Sequence, residues 1–405
     1  MARSRIGLWL IGAKGGVAST ATVGLIALRK GGLIGQAGLV SELPQFAPLQ
    51  LAGWDEFVVG GHEIRDVRSY DEALKMHKES RAIDLDVLEA CRADLDRIDT
   101  CIRPGVLLNV GQTIASLAGE EVRQIVEGPR QAVERIQGDL RTFIADHQLS
   151  HVIVVNVSST EPPVDTAQFP ARWSQLQKLL DGPQTALPAS SLYAIAALDL
   201  GCSYINFTPS LGASLPAIDE LSRERGTRHM GYDGKTGETL LKSVLAPMFR
   251  KRNLGVMSWV GHNIFGNMDA RVLDDPVNKQ AKVTSKDRLL GQILGYPPQT
   301  LVTIERIDSM GDWKTAWDHI HFTGFLGTPM TFQFIWQGCD SLLAAPLVLD
   351  LVRFTERAQR HGDVGQLSFL ASFFKSPLGV DEHDFGLQFQ MLEAWAASVE
   401  RGAAP

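Results

Sequence analysis

The first 210 residues alternate short apolar runs with segments of helical periodicity. The apolar runs end in glycine or in clusters of Ser, Thr and Asn, as buried parallel strands do. Strand regions, with their polar tips, are predicted over residues 6–12, 32–42, 105–111, 150–163 and 202–210. Helices are predicted from the glycine-rich turn after the first strand to Gly31, and over residues 81–98, 115–148 and 187–201. This alternation predicts a doubly wound α/β fold with a parallel sheet.

The pattern changes near residue 255. Residues 299–310 and 319–338 are longer runs in which apolar positions, many of them aromatic, alternate with polar ones. Such alternation is typical of an antiparallel or mixed sheet with one face buried. Residues 339–359 return to a helical pattern. Because the sequence contains no repeat and no flexible linker, the two parts are predicted to be interleaved.

Composition and charge fit a soluble globular chain. It has 405 residues, of which 44% are hydrophobic and 21% are charged, enough for two domains or one elaborated domain. The formal net charge of −7 argues against non-specific binding to nucleic acid or to a membrane surface. The chain contains no run of about 18 apolar residues, so no membrane span is predicted.

The cysteines and the N-terminus predict a cytoplasmic protein. Cys91, Cys101, Cys202 and Cys339 form neither a CxxC pair nor a metal-finger spacing. They are interpreted as reduced, mostly buried thiols. The apolar run after the basic N-terminus is too short for a signal peptide.

A glycine-rich turn, GAKGGVAST, follows the first strand and opens the first helix. In this context backbone N–H groups and a helix N-terminus hold a pyrophosphate. The turn departs from GxGxxG, because Lys14 takes the second glycine position and Ala18 the third. The third position tolerates alanine, whereas Lys14 must point either away from a phosphate or toward it as a cation. The alternative is a structural turn without a ligand, and Glu42 is a weak candidate for the acidic residue at the adenine ribose.

Two strand tips carry hydroxyls and amides, NVSST at residues 156–160 and NFTPS at residues 206–210. Each alone is most simply explained by Asx and Ser/Thr turns. In one parallel sheet, however, both tips would border the crevice in which such sheets bind ligands.

Lysines recur near the end of the chain. In NKQAKVTSKDR, residues 278–288, Lys282 and Lys286 would share a helix face and repel each other by roughly 0.2–0.5 kcal/mol. Either this is a solvated basic face, or an anionic ligand lies between the two lysines. Lys314 and Lys375 lie beside apolar segments and would by default reach solvent.

Histidines give weaker signals. His262 and Asp269 could bind a metal, but their spacing fits no strong metal signature. His319 and His321 lie on one predicted strand, and an inward core position is the expected role for one of them.

Taken in order, these motifs resemble those of the myo-inositol-1-phosphate synthases, from about residue 6 to residue 379. The segments that carry the resemblance are GAKGGVAST, GWDEF, NVSSTEP, YINFTPS, GYDGKTGETLLKSVLAPMF, SWVGHNIFGNMDA, NKQAKVTSK, DSMGDWK, CDSLLAAPLVLDL and FFKSP. The glycine loop is closer to the shorter prokaryotic form of the family. NVSSTEP contains less asparagine and threonine than the family's strand-tip motif. Met268 stands where a second asparagine is usual.

The resemblance implies a Rossmann-type NAD-binding domain interrupted by a mixed-sheet α+β domain that carries catalytic lysines and forms the interface of a homotetramer. The expected boundaries are 1–243, 244–340 and 341–405. The implied activity is a redox-neutral cyclisation of D-glucose 6-phosphate to 1D-myo-inositol 3-phosphate with NAD, and a monovalent or divalent cation is a further expectation. In this reaction C5 of the sugar is oxidised, the C6 enolate attacks the C1 aldehyde, and the C5 ketone is then reduced again.

The resemblance also assigns residues. Lys282 would take or return the C5 hydroxyl proton, Lys286 and Lys314 would bind phosphate and the oxyanion, and Lys375 would lie at the C5 oxygen and the phosphate. Ammonium groups stabilise developing oxyanions most where water is excluded, and clustering lowers lysine pKa values toward neutrality. The other expected residues contact NAD or the substrate: Gly12, Ala13, Lys14, Gly15, Gly16, Val17, Ala18, Ser159, Thr160, Asp233 and Asp340 for NAD, Asp340 also for a cation, and Ser258, Asn267, Asp269 and Asp312 for the substrate.

Three alternatives stay open at this point. A paralogue could use the same cofactor to close a five-membered ring from a ketose phosphate. A simple NAD-dependent dehydrogenase would instead accumulate NADH. A non-catalytic nucleotide-binding scaffold would need no inward lysines.

Overall fold

The computed structural model describes residues 5–267 and 289–402, and its strands form two sheets. In chain order the strands are β1 (Arg5–Ile11), β2 (Phe57–Glu63), β3 (Ile102–Pro104), β4 (Leu149–Asn156), β5 (Ser203–Asn206), β6 (Arg228–Gly231), β7 (Gly255–Phe265), β8 (Gln299–Arg306), β9 (Trp313–Thr323), β10 (Pro329–Cys339) and β11 (Gly365–Gln366).

The larger sheet is parallel throughout and has the order β11-β6-β5-β4-β1-β2-β3. Its strand order reverses between β1 and β4, which is the switch point where open α/β sheets bind ligands at the carboxyl ends of their strands. The apolar runs predicted this arrangement, because β1 and β4 are buried on both faces. The predicted α/β class, a parallel sheet interrupted by a mixed sheet, is confirmed.

Helices cover both faces of this sheet. In chain order the helices are α1 (Gly16–Lys30), α2 (Ser69–Ser80), α3 (Leu85–Asp99), α4 (Gln112–Ala115), α5 (Glu120–Arg123), α6 (Pro129–His147), α7 (Trp173–Leu179), α8 (Ala189–Asp199), α9 (Pro216–Glu224), α10 (Gly237–Lys251), α11 (Asp340–His361) and α12 (Phe385–Gly402), of which α10 packs on the smaller sheet instead. Leu8 and Leu10 point into a core with α1, α11 and α12, whereas Trp9 and Ile11 point into a second core with α6, α8 and α9. None of the described helices combines the length and apolar character that crossing a bilayer requires.

The smaller sheet has the order β10-β9-β7-β8, with β7 and β8 parallel and the other pairs antiparallel. One face packs against α10 and the helical residues 289–294, with Phe249, Trp259 and Ile320 in the core. The opposite face points outward. His319 is exposed and His321 is half-buried on that face, because Asp318 and Ile320 occupy the alternate, buried positions of β9. The expectation of an inward core histidine was therefore wrong.

The chain then returns to the larger sheet through α11, β11 and α12. The predicted boundary between residues 243 and 244 falls inside α10, and the division into domains stays a prediction. The four cysteines are free thiols, three of them buried.

Two predicted strands were wrong. Residues 32–42 form turns and a short 3-10 helix, because Gly31, Gly32 and Gly38 have positive φ and the Asp350 carboxylate accepts the N–H groups at positions 40 and 41. The next strand of the sheet is β2. Residues 105–111 form a loop in which Asn109 adopts a φ of 55°. The predicted helix over 115–148 is two helices, α5 and α6, the second with a proline in its first turn, and α4 ends where the prediction begins.

Candidate functional site

A cavity of about 620 Å³ opens at the carboxyl ends of β1, β2 and β4. This volume lies in the range of roughly 300–1,000 Å³ that is common for small-molecule and cofactor sites. Its walls come from the glycine loop, the end of β2, the tip of β4, and the part of the smaller sheet near Asn267 and Asp312. The cavity therefore lies at the switch point of one sheet and extends to the other.

The glycine loop leaves its backbone open to this cavity. Gly12 has a φ of +77°, and a Cβ there would lie 2.8 Å from the Cα of Ser158. A Cβ on Gly16 would lie 2.6 Å from the hydroxyl oxygen of Ser341. No side chain caps the N-terminus of α1, and Gly15 and Gly16 line the cavity. A cradle of N–H groups at a helix N-terminus fits a pyrophosphate.

The other predicted residues of this loop divide between lining and packing. Val17 lines the cavity, whereas Ala13 and Ala18 are buried behind the loop. The ammonium group of Lys14 donates to the carbonyl of Val67 at 2.6 Å and lies 3.4 Å from a carboxylate oxygen of Asp99. Lys14 thus lines the cavity with its ammonium group held at the connection between β2 and α2.

The acidic residue at the end of β2 is Glu63, which the sequence analysis missed. Glu63 lines the cavity and accepts the N–H of Lys14 at 2.9 Å and the N–H of Arg65 at 3.1 Å. An acidic residue at this place in such folds hydrogen-bonds the adenine ribose. Glu42, the weak candidate, instead pairs with Arg353 at 2.6 Å. The error follows from placing the second strand at residues 32–42.

The two polar strand tips do meet. Asn156 donates through Nδ2 to Oδ1 of Asn206 at 3.3 Å, and the hydroxyl of Ser158 donates to Oδ1 of Asn156 at 2.7 Å. Ser159 lines the cavity, but Thr160 is not one of its lining residues. The tips therefore border one crevice, in which Ser159 contributes to the wall and Thr160 does not.

Glu161, next along the chain, is a buried carboxyl group in the cavity wall that the sequence analysis also missed. It accepts the N–H of Ser190 at 2.8 Å and its hydroxyl at 2.5 Å, while its own N–H donates to the hydroxyl of Ser210. Burial raises the pKa of Glu161 to about 7, against the lowering effect of these hydrogen bonds. It joins the tips of β4 and β5 to the start of α8.

Asp312 is the hub of the cavity wall contributed by the smaller sheet. It accepts the side-chain N–H of Asn267 at 2.8 Å, the backbone N–H of Ser341 at 2.8 Å and the thiol of Cys339 at 2.9 Å. Burial raises the pKa of Asp312, and the nearby charge of Asp340 adds to the rise. Because Ser341 abuts Gly16, this hub connects the smaller sheet to the glycine loop.

A second, small pocket, the lysine pocket, holds two of the four predicted lysines. Lys314 and Lys375 line it together with a carboxylate, polar groups and two apolar side chains, namely Glu238, Thr236, Thr239, Asn263, Phe265 and Ile304. The ammonium of Lys314 lies 3.7 Å from Asp340, which lines the large cavity, and 5.0 Å from the ring centre of Phe265. Lys375 donates to Asp233 at 2.7 Å. The N-terminus of α10 lies in the same wall.

Among the predicted substrate-binding residues that the structure describes, Asn267 and Asp312 line the large cavity and Ser258 lines neither pocket. Ser258 lies on the outward face of the smaller sheet, because the alternation along β7 turns Trp259, Asn263 and Phe265 to the buried face. A role of Ser258 in substrate binding stays a prediction. Lys282, Lys286 and Asp269 lie outside the described residues.

Asp340 was also predicted to bind a cation. Within residues 5–267 and 289–402, no group of three or more His, Cys, Asp or Glu side chains is arranged to hold a metal ion. A cation at Asp340 therefore stays a prediction.

Comparison with known proteins identifies the family. A sequence model described as myo-inositol-1-phosphate synthase matches residues 35–397. The protein named inositol-3-phosphate synthase 1 of Bacteroides thetaiotaomicron is 32% identical to this chain, over 97% of this chain and 95% of its own length. The chain belongs to the myo-inositol-1-phosphate synthase family.

Further members and solved structures agree in sequence and fold. Inositol-3-phosphate synthase of Spirodela polyrhiza is 28% identical over 88% of this chain and 75% of its own. The crystal structure of inositol-3-phosphate synthase from Caenorhabditis elegans superposes with a TM-score of 0.86 at 23% identity, covering 98% of this chain and 86% of that one. A myo-inositol-1-phosphate synthase-related protein from Thermotoga maritima gives 0.77 at 24% identity, over 97% and 98%. The two structures share the fold.

NAD is the cofactor of the family model, and the cavity of this family member fits it. Gly12, Gly15 and Gly16 form a cradle that side chains would fill, and the uncapped N-terminus of α1 suits a pyrophosphate. Glu63 stands where such folds bind the adenine ribose.

Proposed function

We propose that this family member is an NAD-dependent, redox-neutral cyclase that converts D-glucose 6-phosphate to 1D-myo-inositol 3-phosphate. The observation that carries the proposal is the contact between the two pockets. Lys314 lines the lysine pocket, and its partner Asp340, 3.7 Å away, lines the cavity that fits NAD. A sugar phosphate held by the lysines would therefore lie beside the cofactor.

When bound, NAD would supply a hydride acceptor and then a hydride donor, so that no net oxidation occurs. Gly12, Gly15, Gly16 and Val17 would hold its pyrophosphate and Glu63 its adenine ribose. Ser159 lines the same cavity. Asp233 is the expected acidic residue near the nicotinamide, and its contact with Lys375 supports a place where cofactor and substrate meet.

The phosphate of the substrate would bind at the N-terminus of α10. No side chain caps this helix, and its N-cap residue, Thr236, lines the pocket together with Lys314 and Lys375. A helix N-terminus and two ammonium groups make a site for a dianion. The side chains of Lys314 and Lys375 are 14% and 15% exposed, so water screens their charges only partly.

The lysines would also stabilise the oxyanions of the reaction. Oxidation at C5, enolisation at C6 and ring closure each place negative charge on an oxygen, and a nearby ammonium group stabilises that charge. Lys314 would do so near the reacting carbons and Lys375 at the C5 oxygen. By resemblance to the family, Lys282 would exchange the C5 hydroxyl proton and Lys286 would bind the phosphate. Asp340 would orient Lys314 or hold a cation.

We further propose a homotetramer in which a second copy covers the outward face of the smaller sheet. Trp317 is 40% exposed and Ile335 is 69% exposed on this face. At the hairpin tip between β9 and β10, Phe325 is 88% exposed. Strand β10 is an edge strand of eleven residues that is exposed along most of its length. Long apolar edges of this kind usually pair or are covered.

The direct test is incubation with glucose 6-phosphate and substoichiometric NAD⁺. The proposal predicts an inositol phosphate, identified by NMR, in molar excess over the cofactor. A five-membered cyclitol from a ketose phosphate would indicate the paralogue. Accumulation of NADH in step with product would indicate a dehydrogenase, and either result would overturn the proposal.

A further inference from the structure

The lysine pocket contains an acidic residue to which the proposed mechanism gives no role. Glu238 is 2% exposed and occupies the second position of α10, whose N-terminus is the proposed phosphate site. Among the lining residues that the structure describes, it is the one carboxylate. Lys242, one turn later on α10, is 1% exposed and places its Nζ 2.6 Å from Oε1 of Glu238.

Phosphate binding does not explain this pair, and its burial makes a large gain in stability an insufficient explanation. Buried ion pairs are often no more stabilising than apolar side chains of similar size, because both charges lose their hydration. A carboxylate beside a bound phosphate would by itself weaken phosphate binding by like-charge repulsion. The ammonium of Lys242 offsets that repulsion. A carboxylate at this position, with a lysine to balance it, therefore points to a ligand group that needs a strong acceptor.

The carboxylate is held in a fixed place between α10 and β7. A Cβ on Gly261 would lie 2.5 Å from Oε1 of Glu238, so a larger residue at that point of the strand would displace the carboxylate. Asn263, two residues along the same face of β7, also lines the pocket. Lys242 lies 5.9 Å from the ring centre of Trp259 on that face. A side chain fixed in this way can discriminate between ligands by hydrogen-bond geometry.

We propose that Glu238 is a specificity-determining residue that accepts a hydrogen bond from a hydroxyl of the carbon chain of a sugar phosphate. This inference rests on the proposed function and deepens it. An ionised carboxylate only accepts hydrogen bonds and can accept several at once, so its contact with Lys242 is compatible with a bond to the substrate. The pocket thereby selects hydroxylated phosphate esters over inorganic phosphate.

The test measures the binding of two probes, glucose 6-phosphate and inorganic phosphate, by calorimetry. The protein is loaded with NADH, which cannot accept the C5 hydride, so glucose 6-phosphate binds without being oxidised. Glu238→Gln is expected to weaken glucose 6-phosphate binding by roughly 10- to 100-fold, the usual effect of losing a hydrogen bond to a charged group. Binding of inorganic phosphate is expected to stay the same or to tighten. Glu224→Gln, an exposed change at the end of α9, is the matched control and should alter neither.

The double variant Glu238→Gln, Lys242→Met separates recognition from structure. It removes both buried charges. If Glu238→Gln acts only by leaving the charge of Lys242 uncompensated, the double variant would bind glucose 6-phosphate as tightly as the unmodified protein does. The inference predicts that the weakened binding persists. Unchanged glucose 6-phosphate affinity in both variants would overturn the inference alone. Failure of the unmodified protein to bind glucose 6-phosphate would overturn the proposed function together with it.

Discussion

Asp233 and Lys375 lie 142 positions apart and yet are hydrogen-bonded to each other, and Lys375 lines the lysine pocket. The backbone N–H of Lys375 donates to the carbonyl of Asp233 at 2.7 Å, and their side chains are joined at the same distance. Gly234 and Phe374 form a bridge between the two segments. The sequence predicted both residues only through the family resemblance, because local spacing contains no information on a pairing between such distant positions.

Replacing Lys375 with Met should therefore remove turnover without removing the cofactor. We expect a fall in kcat of about 100-fold or more, since an ammonium group at a developing oxyanion is lost, while NAD⁺ binding measured by calorimetry stays within about twofold. Lys178→Met, at an exposed position of α7, is the control and should behave like the unmodified protein. Normal turnover of the Lys375→Met variant would remove this lysine from the site.

Glu161 predicts a pH dependence of stability. Its pKa is raised from the usual 4.5 to about 7 in the folded state, so between these pH values the folded protein holds a proton that the unfolded chain has released. The contribution of Glu161 to the free energy of unfolding is therefore complete below about pH 4.5. It is lost as the pH rises through 7, by roughly 3 kcal/mol in total. In Glu161→Gln this part of the dependence should vanish. Urea unfolding at pH 5, 6, 7 and 8 measures it, and equal slopes for both proteins would contradict the assignment.

At the scale of elements, the glycine loop is set by α11 as well as by its own sequence. Gly16→Ala places a methyl group 2.6 Å from the hydroxyl oxygen of Ser341 at the start of α11, so the loop or the helix must shift. We expect NAD⁺ to bind about tenfold more weakly or worse. Adding Ser341→Ala makes room and should restore much of the affinity. Gly138→Ala in α6, where nothing lies within 4 Å of the new methyl, should leave binding unchanged.

Elements were predictable from sequence where burial alone decides the structure. Strands β1, β4 and β5 are buried on both faces, so their apolar runs were sufficient. Residues 32–42 also contain apolar side chains but lie in turns and a short 3-10 helix, because Asp350, far along the chain, accepts hydrogen bonds from the backbone N–H groups at positions 40 and 41. Strand β2, FVVGGHE, was missed, and with it Glu63 at its end. Long-range hydrogen bonds of this kind leave no periodic trace in the sequence.

At the scale of the whole molecule, the outward face of the smaller sheet should be an interface. Ile335→Lys places a charge at a position that is 69% exposed in the single chain and would be buried between copies. We expect the tetramer to dissociate into smaller species at micromolar concentration, as measured by sedimentation velocity. The matched control, Val126→Lys, lies at a position that is 96% exposed on the larger part, and should not change the assembly. An unmodified protein that sediments as a monomer would contradict the proposal.

The order of motifs along the chain predicted the family and the broad architecture, but only in part the site. Lys314 and Lys375 line one pocket as expected, whereas Ser258 does not. Which face of the sheet a side chain of β7 occupies depends on how that strand pairs, and the sequence does not show the pairing. Glu238 lies in one of the motifs that carry the resemblance but was not predicted as a site residue. Its burial beside Lys242 arises only when α10 packs on the smaller sheet.

The central claim is that a sugar phosphate is oxidised and reduced again without leaving the junction between the lysine pocket and the NAD cavity. Turnover of glucose 6-phosphate deuterated at C5 tests it most directly. The account predicts an inositol phosphate that keeps the deuterium on one ring carbon, with no reduced cofactor released. Deuterium that appears in free reduced cofactor, with an unlabelled or oxidised product, would contradict it.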